Sequence, residues 1–326
     1  MEVIKVLRGD EETLEAYKKL GEKIPDNFVA FYHGGLNAII MDKRFMMIHF
    51  FDRQVHRGYS VFDTCNMFNR RLYLFEQHMS RFSSSMVLAR LQRPKTNQEI
   101  AQIMFRIADL TGEQSLNFRY WCSRGSKNLD VATPSADPTV FYCMAMKGRP
   151  VVIGKGMQNA CTVGVEVKGP LLAQVKTTNY LLNCLAADEA AKKGCLGIMA
   201  TEEGYVTEGT VQAVGFVLKD KTYYAPPYYR ALRSITQDRV MELIEKYLIK
   251  PGLVSGISRT KRKVEELKNE AVEMLLLGGE RVIPIKYRDS VKISDTVGPV
   301  TEAIIKLLEM DYKNPEVAVE SYETKL

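Results

Sequence analysis

A lysine, a glutamate, an arginine, a helix start and a pair of glycines carry most of the chemistry open to this sequence. Lys176 stands in LLAQVKTTNYLLN, with apolar residues before it and a helix expected a few positions on. A free lysine has a pKa of roughly 10.4 and is charged at neutral pH. Burial disfavours the ammonium and makes the amine a nucleophile or Schiff-base partner. On local sequence alone, an ordinary surface lysine at a strand end is the commoner case. Glu208, in EEGYVTEGT, stands beside Gly209 at the end of a hairpin strand, where a carboxylate usually meets solvent. Its chemical use needs a partner, such as a pyridine nitrogen that it would keep protonated. Ser234-Ile235-Thr236 opens a long helix whose first N–H groups form an anion site, although plain capping is the commoner use of Thr there. Arg81 comes one helical turn after Gln77 and His78; its planar guanidinium suits bidentate phosphate binding, while most helix arginines solvate a face. Gly278-Gly279 lets backbone approach a ligand closely, or makes a hairpin turn.

Other chemistries find little support. The four histidines, His33, His49, His56 and His78, all lie in the first quarter of the chain. No HExxH or zinc-type spacing exists, so no metal site is expected, and a Ser-His-Asp triad would have to draw its base from that quarter. GxGxxG and P-loop sequences are absent. The six cysteines are scattered without a CxxC pair, which fits free thiols in a reduced compartment. The net charge of +6 is interleaved along the chain, and the basic run Arg259 to Lys263 is followed by Glu265 and Glu266, so neither nucleic acid nor membrane is an expected partner. The start, MEVIKVLRGDEE, lacks the apolar segment of a signal peptide, and no apolar run approaches the roughly 20 residues that span a bilayer. A cytoplasmic location is expected.

The elements that must position these residues read as follows. Residues 1–27 form an extension with a helix over Glu11 to Leu20, its face made by Leu14, Tyr17 and Leu20. FVAFYHGG, LNAIIMD and FMMIHFFD are β-rich runs. A strand from Val61 to Phe68, a turn, and a strand from Leu72 to Phe75 precede a helix from Glu76. A second helix covers Asn97 to Leu110, and Leu116 to Ser123 and Thr139 to Met146 are strands around a loop, Arg124 to Pro138. Residues 148–156 are the linker. Beyond it come a helix over Asn179 to Lys193, hairpins at Ile198 to Glu208 and Val214 to Ala225, a helix over Thr236 to Leu248, short strands either side of Gly278-Gly279, and a helix over Pro299 to Leu308. The fold class is α+β in two domains, residues 28–147 and 157–326, mostly antiparallel sheet with flanking helices.

Each chemical signal is weak alone; their order is what joins them. That order, Arg81, Lys176, Glu208, Thr236, Gly278, resembles the fold-type IV, or class IV, pyridoxal-phosphate enzymes. These include the branched-chain and D-amino-acid aminotransferases and the aminodeoxychorismate lyases. HRGYSVFDT is similar to the family's HxGxxVFE, LFEQHMSRF to its EHxxRL helix, and KTTNYLLNCLAADEAAKKG to the catalytic-lysine segment KxxNYLPNxLAxxEA. GYVTEGT is similar to GxVxEGS, SITQDRV to GITRxxV and GPVTEAI to GPxTxxL. Gly256-Ile257-Ser258-Arg259 also looks like GITR, but it lies past the expected helix, and TKRKVEEL after it reads as the family's next strand. The closest overall likeness is to plant-type members described as D-amino-acid transaminase or aminodeoxychorismate lyase.

The resemblance implies pyridoxal 5'-phosphate as cofactor, with Lys176 as the Schiff-base lysine and acid–base group. Glu208 would meet the pyridine nitrogen and Tyr180 the ring's phenolic oxygen. Arg81, the amides of Ile235 and Thr236, and Gly278-Gly279 would hold the phosphate. Phe62 and Thr64 of FDT fall on the substrate side, and Arg119 and Arg124 are the candidates for the substrate carboxylate. The bacterial D-amino-acid aminotransferases' own carboxylate-binding Arg and His fall near Leu129 and Val131 here. Two further departures stand out: the family's SSSN is Thr210-Val211-Gln212-Ala213, and Gly279 replaces a hydroxyl residue. The implied activity is transamination between an amino acid, of branched-chain or D-amino-acid type, and a 2-oxo acid, in a homodimer. Aminodeoxychorismate lyase, releasing 4-aminobenzoate and pyruvate, is the alternative, and a non-catalytic cofactor-binding relative is the second.

Overall fold

The structure is a computed structural model, and it describes residues 5–125, 129–132, 138–148, 156–279 and 281–320. Helix α1 (Asp10–Gly21) opens it, with Leu14, Tyr17 and Leu20 exposed. The first sheet is built from β1 (Phe28–His33), β2 (Ala38–Ile40), β3 (Ser60–Phe68), β4 (Arg71–Tyr73), β5 (Leu116–Ser123) and β6 (Val140–Lys147). Its order is Ala318–Val319, β4, β3, β5, β6, β1, β2, and every pairing is antiparallel. Between these strands run α2 (Arg53–Arg57), α3 (Phe75–Leu88) and α4 (Asn97–Thr111).

Strand periodicity decides what each face does. Val61, Cys65 and Met67 of β3 and Phe118, Tyr120 and Cys122 of β5 bury against Met79, Phe82 and Met86 of α3 and Ile100, Met104 and Ile107 of α4. Phe62, Thr64, Arg119 and Trp121 alternate with them and occupy the other face, paired Phe62 with Trp121 and Thr64 with Arg119. That face is left uncovered by α3 and α4 and carries Phe62 and Arg119, whereas Asp63 points to the α3 side and meets Arg81 there.

The second sheet contains β7 (Gln158–Thr162), β8 (Leu196–Ala200), β9 (Val206–Gly209), β10 (Ala213–Leu218), β11 (Thr222–Tyr224), β12 (Gly256–Ser258), β13 (Ala271–Gly278), β14 (Arg281–Arg288) and β15 (Val291–Lys292). Its order is β12, β11, β10, β13, β14, β7, β8, β9, with β15 on β14. Parallel pairings occur at β11–β12, β14–β7 and β7–β8, and the others are antiparallel. Its helices are α5 (Pro170–Gln174), α6 (Leu181–Lys192), α7 (Ile235–Tyr247), α8 (Val264–Glu270) and α9 (Pro299–Asp311). Leu243 and Ile244 of α7 and Ile304 and Leu308 of α9 close over Leu275 and Leu277 of β13. The fold class is α+β, as the alternation of patterns predicts.

Local expectations fail in two places. TKRKVEEL is not a strand but leads into α8 at Val264: Val264 and Leu267 bury at helical spacing, and the Glu266 carboxylate accepts from the Lys263 amide at 3.3 Å, capping the turn. FMMIHFFD is not sheet but an irregular connection after a short 3-10 turn, bounded by Asp42 and Asp52, whose side chains accept from the Arg44 and Gln54 amides. Residues 149–155, most of the expected linker 148–156, and parts of the loop before β6, 126–128 and 133–137, lie outside the described residues.

GPVTEAI acquires a structural account. The Glu273 carboxylate of β13 is buried and accepts from the Val300 amide (3.1 Å), the Thr301 amide (2.8 Å) and the Thr301 hydroxyl (2.6 Å), capping α9. Gly298 gives it room: a Cβ there would stand 2.1 Å from the Glu273 Cδ.

Candidate active site

Chain leaving α5 crosses the start of β3 in an extended stretch, and this crossing mounts Lys176. The Lys176 carbonyl accepts from the Phe62 amide at 2.8 Å, and the Lys176 amide donates to the Ser85 hydroxyl of α3 at 3.1 Å. Val61 and Thr177 form an antiparallel bridge, and the Thr177 hydroxyl donates to the Ser60 carbonyl at 2.9 Å. With its backbone fixed on both sides, the half-buried side chain lies with Nζ 4.7 Å from the centre of the Phe62 ring. Burial, and then the charge of Arg81, lower the amine's pKa to about 8, against the opposing carboxylates of Asp63 and Glu208. Lys176 is thus no ordinary surface lysine.

Tyr180, at the start of α6, sets its ring edge-on to Phe62, 5.3 Å between centres. Burial, followed by the charge of Glu208, pushes its phenol up to about 12, so Tyr180 remains a hydrogen-bond donor. Glu208 lies on β9 and is half-buried rather than solvent-facing. It accepts one hydrogen bond from the Leu232 amide at 3.2 Å. Burial raises its pKa to about 7, opposed by Lys168, the Leu232 amide and Lys176.

Arg81 is held by a residue that sequence reading passed over. Asp63, fully buried on β3, accepts from Arg81 Nε (2.8 Å) and Nη2 (2.6 Å), from the Thr64 amide (2.7 Å), and from Nδ1 of His78 (3.1 Å). Burial alone would raise the Asp63 pKa; the Arg81 charge and the hydrogen bonds of His78 and Arg81 overcome it and hold the carboxyl well below the usual range. Burial lowers the His78 pKa despite Asp63. An acid one position after the aromatic of VFD, eighteen residues before Arg81, was the only available signal, and it depends on the fold.

The remaining nitrogen of Arg81, Nη1, donates to the Arg233 carbonyl at 3.1 Å, which brings α3 to the start of α7. Ser234 caps α7 by accepting from the Gln237 amide. The amides of Ile235 and Thr236 have no hydrogen-bond partner among the described residues. The Thr236 hydroxyl donates to the Gly279 carbonyl at 3.3 Å, and Gly279 turns there with φ of +59°. A cavity of about 530 Å³ opens beside Arg81, lined by Ala231, Arg233 and Ile235 among others. Lys176, Tyr180 and Glu208 are outside its lining, which also carries Glu76, Asp238 and Glu242.

On the substrate side, the Arg119 guanidinium stands 5.7 Å from the Phe62 ring centre, next to Thr64 across the strand pair, and its charge reaches Lys176 and Tyr180. Arg124 is buried just past the end of β5, its amide donating to the Tyr59 carbonyl. Leu129 and Val131 are exposed.

Residues 60–285 match the family described as Amino-transferase class IV. The chain belongs to the class IV aminotransferases. It is 30% identical over 298 residues to a chloroplastic D-amino-acid transaminase of Arabidopsis thaliana, covering 90% of this chain and 79% of that protein. It is 23% identical to a D-alanine aminotransferase of Staphylococcus aureus, covering 82% and 94%. Its fold is that of the branched-chain amino acid aminotransferase of Thermobaculum terrenum in its PLP-bound holo form, at 21% identity, a TM-score of 0.78 and coverage of 90% and 99%.

For a class IV aminotransferase, the altered Thr210-Val211-Gln212-Ala213 segment is well accommodated. The Thr210 carbonyl accepts from Asn183 of α6 at 2.6 Å, and the Gly209 amide donates to the Gln212 carbonyl at 2.8 Å. A Cβ at Gly278 would meet the Gln212 side chain at 3.2 Å, so the loop packs against the Gly278-Gly279 turn. Among the described residues no cluster of acids, cysteines or histidines suits a metal ion, and no helix is long and apolar enough to cross a membrane.

Proposed function

We propose that this chain transfers an amino group between an amino acid and a 2-oxo acid using pyridoxal 5'-phosphate, with D-amino acids the first substrates to test. The observation that carries the reading is Lys176: a fixed, half-buried amine of lowered basicity, within the electrostatic reach of Arg81, Asp63, Glu208 and Arg119. The surrounding residues fit that cofactor. At one end, the amides of Ile235 and Thr236 at the start of α7 have no partner among the described residues, and Arg81 is tied to that helix start through the Arg233 carbonyl, an arrangement suited to a phosphate. A half-buried carboxylate with a single amide donor waits at the other, suited to a ring N–H.

When bound, the cofactor supplies an aldehyde for the amine and an electron sink for the substrate's Cα–H bond. Lys176 Nζ would provide the amine for that aldehyde and, as a free amine, would move the substrate's Cα proton as general base and acid. Glu208 accepts a hydrogen bond from the ring nitrogen and keeps it protonated. The Tyr180 hydroxyl donates to the ring's phenolic oxygen. Arg81, the Ile235 and Thr236 amides and the Gly278-Gly279 turn bind the phosphate, and Asp63 orients Arg81. Arg119 takes the substrate carboxylate beside Phe62 and Thr64.

Exposed Leu171, Leu172, Leu181 and Leu185 flank the Lys176 segment, an apolar surface suited to a second copy of this chain, and support a homodimer. All six cysteines are free, which supports a reducing compartment such as the cytoplasm. The experiment is direct. Purified protein given the cofactor should turn yellow, borohydride should bleach it, and peptide mapping should find the reduced label on Lys176. D- and L-amino acids with 2-oxoglutarate or pyruvate, and aminodeoxychorismate, then sort the substrate. A chain that stays colourless with added cofactor refutes the reading.

A further inference from the structure

Two adjacent serines of α3 are used differently. Ser84 is exposed, and its hydroxyl donates back to the Ser80 carbonyl at 2.9 Å, the ordinary local bond of a helix serine. Ser85 is fully buried, and its hydroxyl is turned away from its own helix to a partner 91 residues on: it accepts from the Lys176 amide at 3.1 Å. A hydroxyl or a backbone N–H costs free energy when buried without a partner, and here each satisfies the other. Val175, one residue before Lys176, buries in the same core as Phe82 and Met86 of α3, so the segment is seated against the helix.

That bond closes a ring of contacts. Arg81 and Ser85 are four residues apart on α3, so they share a face one turn apart, with a rise of roughly 6 Å between them. Arg81 donates to Asp63 of β3 at 2.8 and 2.6 Å. Asp63 follows Phe62, whose amide donates to the Lys176 carbonyl at 2.8 Å. The Lys176 amide then returns to Ser85. The route from Arg81 to the Lys176 backbone thus runs through one residue step of β3 on one side and one turn of α3 on the other. Without the Ser85 hydroxyl, the peptide groups of Lys176 would be hydrogen-bonded to β3 alone.

We propose that Ser85 is a positioning residue: its buried hydroxyl keeps the Lys176 backbone in register with Arg81, so that one turn of α3 sets the distance from the guanidinium to the lysine amine. The use of that distance rests on the function proposed above, in which one ligand reaches Arg81 with its phosphate and the Lys176 amine with its aldehyde. Losing the register costs little to a ligand that uses one anchor. It costs affinity for a ligand that must use both, because the two are no longer pre-organised.

The test compares two ligands on the full chain stripped of cofactor. Pyridoxal 5'-phosphate uses both anchors; pyridoxine 5'-phosphate, which lacks the aldehyde, uses the phosphate anchor alone. Ser85→Ala should weaken the first about tenfold, the scale of one lost hydrogen bond, and leave the second within about twofold. Ser84→Ala should change neither. Ser85→Thr keeps the hydroxyl and should restore tight binding; Ser85→Cys, a weak acceptor of similar size, replaces the alanine variant if that does not fold. With no ligand present, hydrogen exchange at the Lys176 amide should rise at least about tenfold in Ser85→Ala and stay at the wild-type rate in Ser84→Ala. Unchanged exchange at Lys176 in folded Ser85→Ala or Ser85→Cys overturns the proposal. So does unchanged binding of both ligands, and so does equal weakening of both, which would make Ser85 a support of the fold and not of the register. A wild-type chain that binds neither ligand, with Lys176 exchange still raised in the variant, would leave the hold of Ser85 on Lys176 standing and refute the function instead.

Discussion

Asp63→Asn should be among the most damaging single-atom changes in this chain. The carboxylate is 0% exposed and accepts four hydrogen bonds, two of them from Arg81, whose side chain is 13% exposed. Asparagine keeps the volume but removes the charge, and its NH2 group must face either Arg81 or His78. Breaking one partner out of a buried ion pair costs about 3–5 kcal/mol, because the other charge stays buried. Chemical denaturation of cofactor-free protein measures this. Arg81→Leu in the same chain should recover part of the loss, giving a favourable coupling in the double-mutant cycle. The pH dependence has a definite sign. The folded pKa of Asp63 lies below its unfolded value, so its contribution is complete above the unfolded value and fades only as pH falls through the folded one. The stability gap between wild type and Asp63→Asn should therefore be flat above about pH 7.5, where neither the unfolded carboxyl, near 3.9, nor the unfolded imidazole of its partner His78, near 6.5, titrates. A loss below about 1 kcal/mol, or a double variant no more stable than Asp63→Asn, would refute the claim that this pair mounts Arg81.

Three other expectations follow from single contacts. In the cofactor-free chain, acylation of Lys176 should rise with pH to a midpoint near 8, because the neutral amine is the reactive form and its pKa is lowered; a midpoint near the ordinary lysine value would show the amine to be solvated. Arg119→Lys keeps the charge but loses the fork, so it should raise the Michaelis constant for amino acids and leave the cofactor spectrum alone; unchanged kinetics would return Arg119 to solvent. Gly298→Ala should destabilise by about 1–3 kcal/mol in denaturant, since its Cβ would collide with Glu273; stability equal to wild type would mean that α9 shifts freely.

Much of the fold was legible because burial follows sequence period. β3 and β5 alternate cleanly, so Val61 to Phe68 and Leu116 to Ser123 were readable to within a residue, and Arg119 fell on the face shared with Trp121. Failures came where side chains, not periodicity, set the backbone. Asp42 and Asp52 capped an apolar run out of the sheet, and Glu266 capped a supposed strand into a helix. At the site, Lys176 and Glu208 stood out only through motif order, since nothing near either in sequence reveals the Phe62 ring or the Leu232 amide. Asp63 was invisible for the same reason: it meets Arg81 across eighteen residues.

The strand at Ala318–Val319 has a consequence for how the chain is made. It pairs with Tyr73 and Leu72 of β4, and the Leu74 amide donates to the Val317 carbonyl at 2.9 Å. Residues 28–147 leave the ribosome long before residue 318 does, so the first sheet can collapse on α3 and α4 while β4 is still an open edge. An open edge offers unpaired N–H and C=O groups to any other nascent chain. The strand of this sheet that is synthesised last is thus its lock. Shortening the chain before residue 317 should lower the yield of soluble protein more than it lowers the stability of what does fold.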